Sequence, residues 1–519
     1  MSASADRYRP SAVAAGLGTI GGTRSGPQTE LARLKTGIPG FDEITMGGLP
    51  ARRTTLVTGT AGSGKTIFAA QFLVQGIHDG DGAVFVTFEE PADDLRQNLA
   101  TLGWETDRWE AEGRWRFVDA SPVGGFDDEQ VPYHFGTLLA QIGRAVDVTS
   151  ADRIALDSLN VVLRHLAAVG DVRQDLRQLA VELRRLHLTA VMTLESGRDH
   201  GSSLPDGFEQ YVTDNVVVLR NVLEDEKRRR TVEVLKMRGA MHRKGEYPFT
   251  VLNGQGVVVV PLSVIELSQQ STDTRITSGN QALDDLCMGG FFRDSVVLAS
   301  GATGTGKTLM VTEFMAGGAQ HGERSLLLAF EESVEQIYRN ARGWGRDFEA
   351  LEKQGLLRVV ATYPEVASVE DHLVEITRQI EEFRPARIAI DSLSALERSG
   401  SAKGFREFII VLTSYLKAEQ IAALFTATTP TLIGGASVTD AHISTLTDSI
   451  ILLRYAEVES EVKRGITVLK MRGSAHDKRI HEFTIDSTGM HILGAFQGLG
   501  GILAGRVAPV EPIDSPESG

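Results

Sequence analysis

Two octapeptides, "GTAGSGKT" at Gly59–Thr66 and "GATGTGKT" at Gly301–Thr308, satisfy the pattern G-x-x-x-x-G-K-[ST]. The chemistry that fits this spacing is the binding of a nucleoside triphosphate. Glycines let backbone N–H groups wrap the phosphates, Lys65 or Lys307 neutralises β/γ oxygens, and Thr66 or Thr308 can ligate Mg²⁺. Gly62, Ser63 and Gly64 are the small loop residues of the first motif; Thr303, Gly304, Thr305 and Gly306 are those of the second. Each motif follows a β-rich run and precedes a helical one, the context in which the pattern becomes a site. One match is weak evidence, whereas two in register within a repeat make a purely structural reading improbable.

Carboxylates recur around both motifs. Asp157 and Asp391 end hydrophobic runs in "RIALDSL" and "RIAIDSL", where a strand-end carboxylate can hold a metal's water shell. The alternative is an aspartate that caps a turn. Glu89-Glu90 and Glu331-Glu332 close "FVTFEE" and "LLAFEE", and phosphoryl transfer needs a carboxylate to orient the acceptor and take its proton. Neighbours on a regular strand face opposite ways, so the two members of each pair are expected to differ in role. The alternative is an acid pair at a helix N-terminus. "LKMRG" occurs twice, setting Lys236 two residues before Arg238 and Lys470 two before Arg472, so that on a strand both cations face one side. That suggests a phosphate sensor for a neighbouring subunit's nucleotide; the alternative is a solvated strand edge. His242 and His476 follow by four residues and by themselves read as surface histidines.

The elements that must position these groups are written twice. Lys65 and Lys307 are 242 residues apart, as are the glutamate pairs, whereas Asp157 to Asp391 and Lys236 to Lys470 span 234. The second copy has therefore lost eight residues between these blocks. A period of this length makes each copy a domain rather than a solenoid unit. Short β-rich runs (Thr54–Thr58, Ala83–Phe88, Arg153–Leu156, Ala190–Thr193) alternate with helical stretches such as "DVRQDLRQLAVELRRLH". This predicts an α/β fold in each copy, a mostly parallel sheet flanked by helices, with ligands at the carboxyl ends of the strands. The expected divisions are a flexible tail over 1–27, domains over 28–262 and 263–505, and a second flexible tail over 506–519.

Composition narrows the partners. A formal charge of −15, from 53 basic and 68 acidic residues, argues against broad attraction to nucleic acid or anionic lipid. The single cysteine, Cys287, rules out an intrachain disulfide framework and suits a reducing cytoplasm. Residues 1–27 lack an apolar signal core, and the least polar stretch, "ILGAFQGLGGILAG", is too short and Gly-rich to cross a bilayer as a helix. A cytoplasmic protein without nucleic-acid or membrane partners is expected.

Taken together, "FVTFEE", "TDNVV", "RRRT", "KGEYPFT", "GATGTGKT", "PARIAIDSLSAL", "HISTLTD" and "KMRGSAHDK" resemble the KaiC circadian-clock ATPases, double-domain members of the RecA-like P-loop proteins, over about residues 28–505. The resemblance implies two RecA-like domains stacked as a double ring, an ATP-bound homohexamer with nucleotides at subunit interfaces. It implies a first ring that hydrolyses ATP and a second that phosphorylates and dephosphorylates itself at adjacent Ser and Thr, the whole acting as a circadian or hourglass timer. By position, Glu89 with Glu90 beside it would serve the first ring, and Glu331 with Glu332 the second, where Thr308 and Glu331 would meet Mg²⁺. Ile67 and Leu309 would join the nucleotide sites. Lys236, Arg238 and His242 match trans contacts of the first ring; Arg464, Lys470, Met471, Arg472, Ser474, His476 and Lys478 match those of the second. Trp344 matches an adenine-stacking aromatic, and a core tryptophan is an equal reading of the residue itself. Among partners, a KaiB-like protein on the first domain and an output signalling kinase are implied. The segment after "DASP", "VGGFDDEQVPYHFG", is shorter and differently charged than the cyanobacterial loop that helps engage KaiB, and the C-terminal tail is short where the cyanobacterial one receives KaiA, so KaiA is not expected.

The acceptor pair would be Ser444 and Thr445 in "AHISTLTDSI". Hydroxyls before a strand usually cap a local turn. Here Thr447 and Asp448 recur as Thr213 and Asp214, whereas Ser444 and Thr445 align with Gln210 and Tyr211. A cap that the fold required would appear in both copies. Two other classes remain: a RecA-like DNA-dependent ATPase, opposed by the acidic balance, and a nucleotide-gated hexameric scaffold.

Overall fold

The computed structural model describes residues 31–121, 135–160, 172–195, 213–224, 227–260, 271–429, 443–458, 461–497, 499–500 and 508–509. The expected tail over 1–27, the join near 262 and most of "VGGFDDEQVPYHFG" lie outside them. Each copy of the repeat folds around a nine-stranded sheet of the same strand order. In the first, the order from one edge is 256–259, 246–252, 227–237, 215–224, 54–59, 189–195, 151–157, 82–87 and 115–119. In the second it is 489–495, 481–486, 461–471, 449–458, 296–301, 422–428, 387–391, 325–329 and 357–361. Strands 115–119 through 215–224 run parallel, and an antiparallel meander follows. The sheet is thus mostly parallel, with one apolar core on each face. Its inner strands are buried along both faces, and so read as continuous rather than alternating apolar runs.

The helix that follows each phosphate motif, Lys65–Asp79 or Lys307–Gln320, is held from beneath by one buried arginine. Arg153 donates to the carbonyls of Lys35 (2.7 Å) and Phe72 (3.1 Å) and pairs with Asp79; Arg387 donates to those of Thr277 (3.0 Å) and Phe314 (3.0 Å) and pairs with Glu323. A buried cation is tolerated only where its donors are met, and these are met by two backbone carbonyls and a carboxylate in each domain. The same helices reach the outer hairpin through one polar side chain. Gln71 exchanges hydrogen bonds with the Val257 backbone, and Glu313 accepts from Met490 N at 2.8 Å and Asn280 Nδ2 at 3.0 Å.

The two domains touch through the strand-end basic run. Arg229 pairs with Glu370 (3.1 Å) and Glu407 (2.9 Å), Lys227 donates to the Ser399 carbonyl at 2.8 Å, and the Thr250 hydroxyl donates to Asp371. These ions are mostly buried, so they are screened less than surface pairs. Replacing Arg229 with alanine is expected to weaken the docking of the domains by about 1–3 kcal/mol, the range for leaving a buried hydrogen-bonding partner unsatisfied. Calorimetry should then show the thermal transitions of the two domains drawing apart; a single unchanged transition would refute this.

Two expectations shift. The strands run Thr54–Gly59, Gly82–Thr87, Ala151–Asp157 and Thr189–Glu195, so Glu89-Glu90 lie past a strand end rather than on it. Within the expected C-terminal tail, Ala508–Pro509 pairs antiparallel with Leu499–Gly500.

Candidate functional site

Both phosphate motifs sit at the carboxyl end of the central parallel strand, where an open α/β sheet leaves a crevice. Gly64 (φ 89°) and Gly306 (φ 107°) occupy the residue before each helix in the left-handed region, which a side chain would strain. Neither helix N-terminus is capped by a side chain at that residue, so its backbone donors face the loop. Lys65 Nζ donates to the carbonyls of Gly59 (3.0 Å) and Thr60 (2.8 Å); Lys307 Nζ does the same with Gly301 (2.9 Å) and Ala302 (2.8 Å). Burial pushes both ammonium groups below the usual lysine range, and the carboxylates around them oppose it.

In the second domain these groups line a cavity of about 610 Å³. Thr303, Gly304, Gly306, Lys307, Thr308 and Leu309 of the phosphate motif and the start of its helix line it, together with Glu331, Glu332 and Asp391. Trp344 and Arg464 also line it. Trp344, the residue after helix Val334–Gly343, also packs partly buried against the core. Thr305 is buried beneath the loop, its hydroxyl donating to the Ala302 carbonyl at 2.8 Å. Ser63 is its buried counterpart, and Gly62 (φ 71°) and Gly304 (φ 79°) share the left-handed backbone. Ile67 follows Thr66 at the start of the first helix, half-buried against the core.

The carboxylates are not equivalent. Asp391 accepts from the hydroxyls of Thr308 (2.8 Å) and Thr426, yet burial holds its pKa above the ordinary aspartate value. In the first domain Asp157 accepts from Thr193. Thr308 and Asp391 form a hard-oxygen donor pair that fits Mg²⁺, which favours one or two protein oxygens, substrate phosphates and retained waters. Glu332 accepts from Asn340 Nδ2 at 3.2 Å and is raised chiefly by burial, while Glu331 Oε1 accepts from Arg398 at 2.8 Å. Both glutamates line the same cavity, correcting the expectation of opposite faces: the bend after Ala329 ends the pleat that would have separated them. Glu90 is likewise raised by burial, and Glu89 accepts from the Ser158 hydroxyl at 3.1 Å. Sequence reasoning missed Arg398, Asn340, Ser158 and the two threonines. All reach the site through pairings that only the folded chain creates.

The "LKMRG" cations lie elsewhere. Lys470, Met471, Arg472, Ser474, His476 and Lys478 are not among the residues lining the cavity. Strand Glu461–Met471 ends one residue before Arg472, yet both cations point to one segment, as the two-residue step predicts. Lys470 Nζ donates to the Thr447 carbonyl at 2.7 Å and Arg472 to that of Thr445 at 2.7 Å. Lys236 Nζ repeats the contact on the Thr213 carbonyl at 2.8 Å, with Arg238 exposed just past Met237. His242 is half-buried, its pKa held below the ordinary histidine value first by burial and then by Lys244. Ser474 accepts from Arg275 at 2.6 Å, His476 is half-buried and Lys478 exposed. Thr445 is exposed on the short helix Ile443–Leu446, which also carries Ser444, whose side chain lies outside the described residues.

Comparison with known proteins agrees with the repeat. A model of the family described as "ATPase: KaiC" matches residues 34–264 and again 276–496. The chain is 58% identical over 478 residues to the circadian clock protein KaiC3 of Synechocystis sp., covering 92% of this chain and 94% of that one. It is 47% identical to the circadian clock oscillator proteins KaiC of Thermostichus vulcanus and Synechococcus elongatus, with 92% of each chain covered in both cases.

Proposed function

Because the chain belongs to the KaiC family of ATPases, we propose that its second domain also transfers the γ-phosphoryl group of ATP to Ser444 or Thr445, and that the protein acts as a KaiC-like timer. The observation that carries the reading is the hold of Lys470 and Arg472 on the backbone of the segment bearing that pair. In the proposed assembly, a homohexamer, the segment and its cations meet the nucleotide of the adjacent subunit. This accounts for their distance from their own cavity.

The residues divide the work as follows. The loop 301–308 and Lys307 grip the β- and γ-phosphates, and Arg464 adds a cation to the lining of the same cavity. Trp344 offers a face for the base. Thr308, Asp391 and Glu331 would hold Mg²⁺, which supplies charge neutralisation on the phosphates. Glu331 orients the acceptor hydroxyl and takes its proton as the oxygen–phosphorus bond forms and the bond from the γ-phosphorus to the β–γ bridging oxygen breaks, ADP leaving. Glu332, kept more easily protonated by burial, is the reserve acid beside it. In the first domain Glu89 serves water in the same role.

The proposed partners are a KaiB-like protein on the first domain and an output signalling kinase, in the cytoplasm and without KaiA. The basic run 227–229 is engaged between the domains, which supports the reading over a DNA-dependent ATPase. Among the described residues no helix is long and apolar enough to cross a membrane. Incubating the full chain with Mg-ATP and mapping phosphopeptides by mass spectrometry should find phosphate on Ser444 or Thr445. An unmodified peptide at every time point would sink the autokinase.

A further inference from the structure

The two nucleotide sites differ at one position that the repeat hides. Strand Thr189–Glu195 ends beside the phosphate loop, with Glu195 paired in register to Gly59, where the loop begins. In the second domain the residue paired to Gly301 is Thr428. A backbone tether confirms that the positions are equivalent: Glu195 N donates to Asn160 Oδ1 at 3.2 Å, and Thr428 N donates to the Ser394 hydroxyl at 2.9 Å. Asn160 and Ser394 each stand three residues beyond the site aspartate. Thr428 lines the second domain's cavity, and Glu195 holds the equivalent register position beside the first domain's phosphate loop. Its side chain is exposed rather than packed into the fold.

Charge follows this geometry. The acids acting on Lys65 are Glu195, Asp157 and Glu89, with Glu195 the largest of them, whereas Lys307 is met by Asp391 and Glu331. A third carboxylate repels phosphate and so costs affinity. Such a group is useful where it binds the attacking water instead, since hydrolysis has no protein hydroxyl already held in place.

We propose that Glu195 is a further catalytic residue of the first domain, holding with Glu89 the water that attacks the γ-phosphorus of ATP, and that Thr428 leaves the second site without this water ligand. This rests on the ATP-hydrolysing role of the first domain stated above. As water attacks, its oxygen–phosphorus bond forms, the bond to the β–γ bridging oxygen breaks with ADP leaving, and the water's proton passes to a carboxylate. Glu195 is a hydrogen-bond acceptor for that water.

The test measures steady-state ATP hydrolysis by the full chain carrying Glu331→Gln, which silences the second site, with and without Glu195→Gln. The expected result is a 10- to 100-fold fall in kcat with KM for ATP within about threefold, reaching at most the lower end of positioned acid–base effects, and partial recovery with Glu195→Asp. An unchanged kcat overturns the inference. So does a fall matched by equal loss of binding of a fluorescent ATP analogue, because Glu195 would then act only through Lys65. If the parent binds the analogue but hydrolyses nothing, the ATPase reading of the first domain falls, and this inference falls with it.

Discussion

Glu331→Gln is expected to reduce phosphate incorporation at Ser444 and Thr445 by about 10²- to 10⁴-fold, the span associated with loss of a positioned general base. The amide has the shape of the carboxylate and can still accept from Arg398, but it cannot take the acceptor's proton. Stability should hardly change, because the Glu331–Arg398 pair is about half exposed on both sides and exposed pairs contribute about 0–1 kcal/mol. Hydrolysis in the first domain has its own loop, lysine and acids, and should remain largely intact. Labelling with ³²P-ATP beside an unfolding curve separates the two effects; labelling at the parental rate in a folded variant would remove Glu331 from the chemistry.

Lys65→Ala is expected to act on assembly rather than only on turnover. Lys65 is held by two loop carbonyls in the first domain, and without it the β/γ oxygens lose a partly desolvated cation. Charge-assisted hydrogen bonds contribute about 1.5–3 kcal/mol each, so the nucleotide affinity of that domain should fall by roughly 10- to 150-fold. If ATP bridges neighbouring subunits, mass action carries the loss into the oligomer: ligand at a thousand times its Kd stabilises the bound form by about 4 kcal/mol. Native mass spectrometry in ATP should show smaller species at concentrations where the parent forms the proposed hexamer. Intact hexamers would refute the link between this lysine and assembly.

Much of this architecture was legible because the chain states it twice. The phosphate loops, Asp157 and Asp391, the glutamate pairs and the mostly parallel sheet follow from local pattern, and repetition guards against chance. What stayed hidden depends on register or on distant packing. Aligning "RIALDSL" with "RIAIDSL" and counting on would match Glu195 with Thr429, whereas the strands match it with Thr428, a slip of one residue inside a segment of differing length. Arg153 and Arg387 open those same motifs. They prove to be buried struts under the phosphate-loop helices, a role set by carbonyls from far along the chain. The opposite faces expected for Glu331 and Glu332 failed because the strand stops at Ala329, two residues before Glu331.

The contacts made by Arg229, Lys227 and Thr250 have a consequence for stoichiometry. With both domains on one chain and pinned together, any closed ring that the first domain builds obliges the second to adopt the same number of copies and the same rotation axis. A domain whose own interfaces favoured a different symmetry would have to break those pairs in every subunit. The seam between the domains therefore selects among assemblies without touching any neighbour.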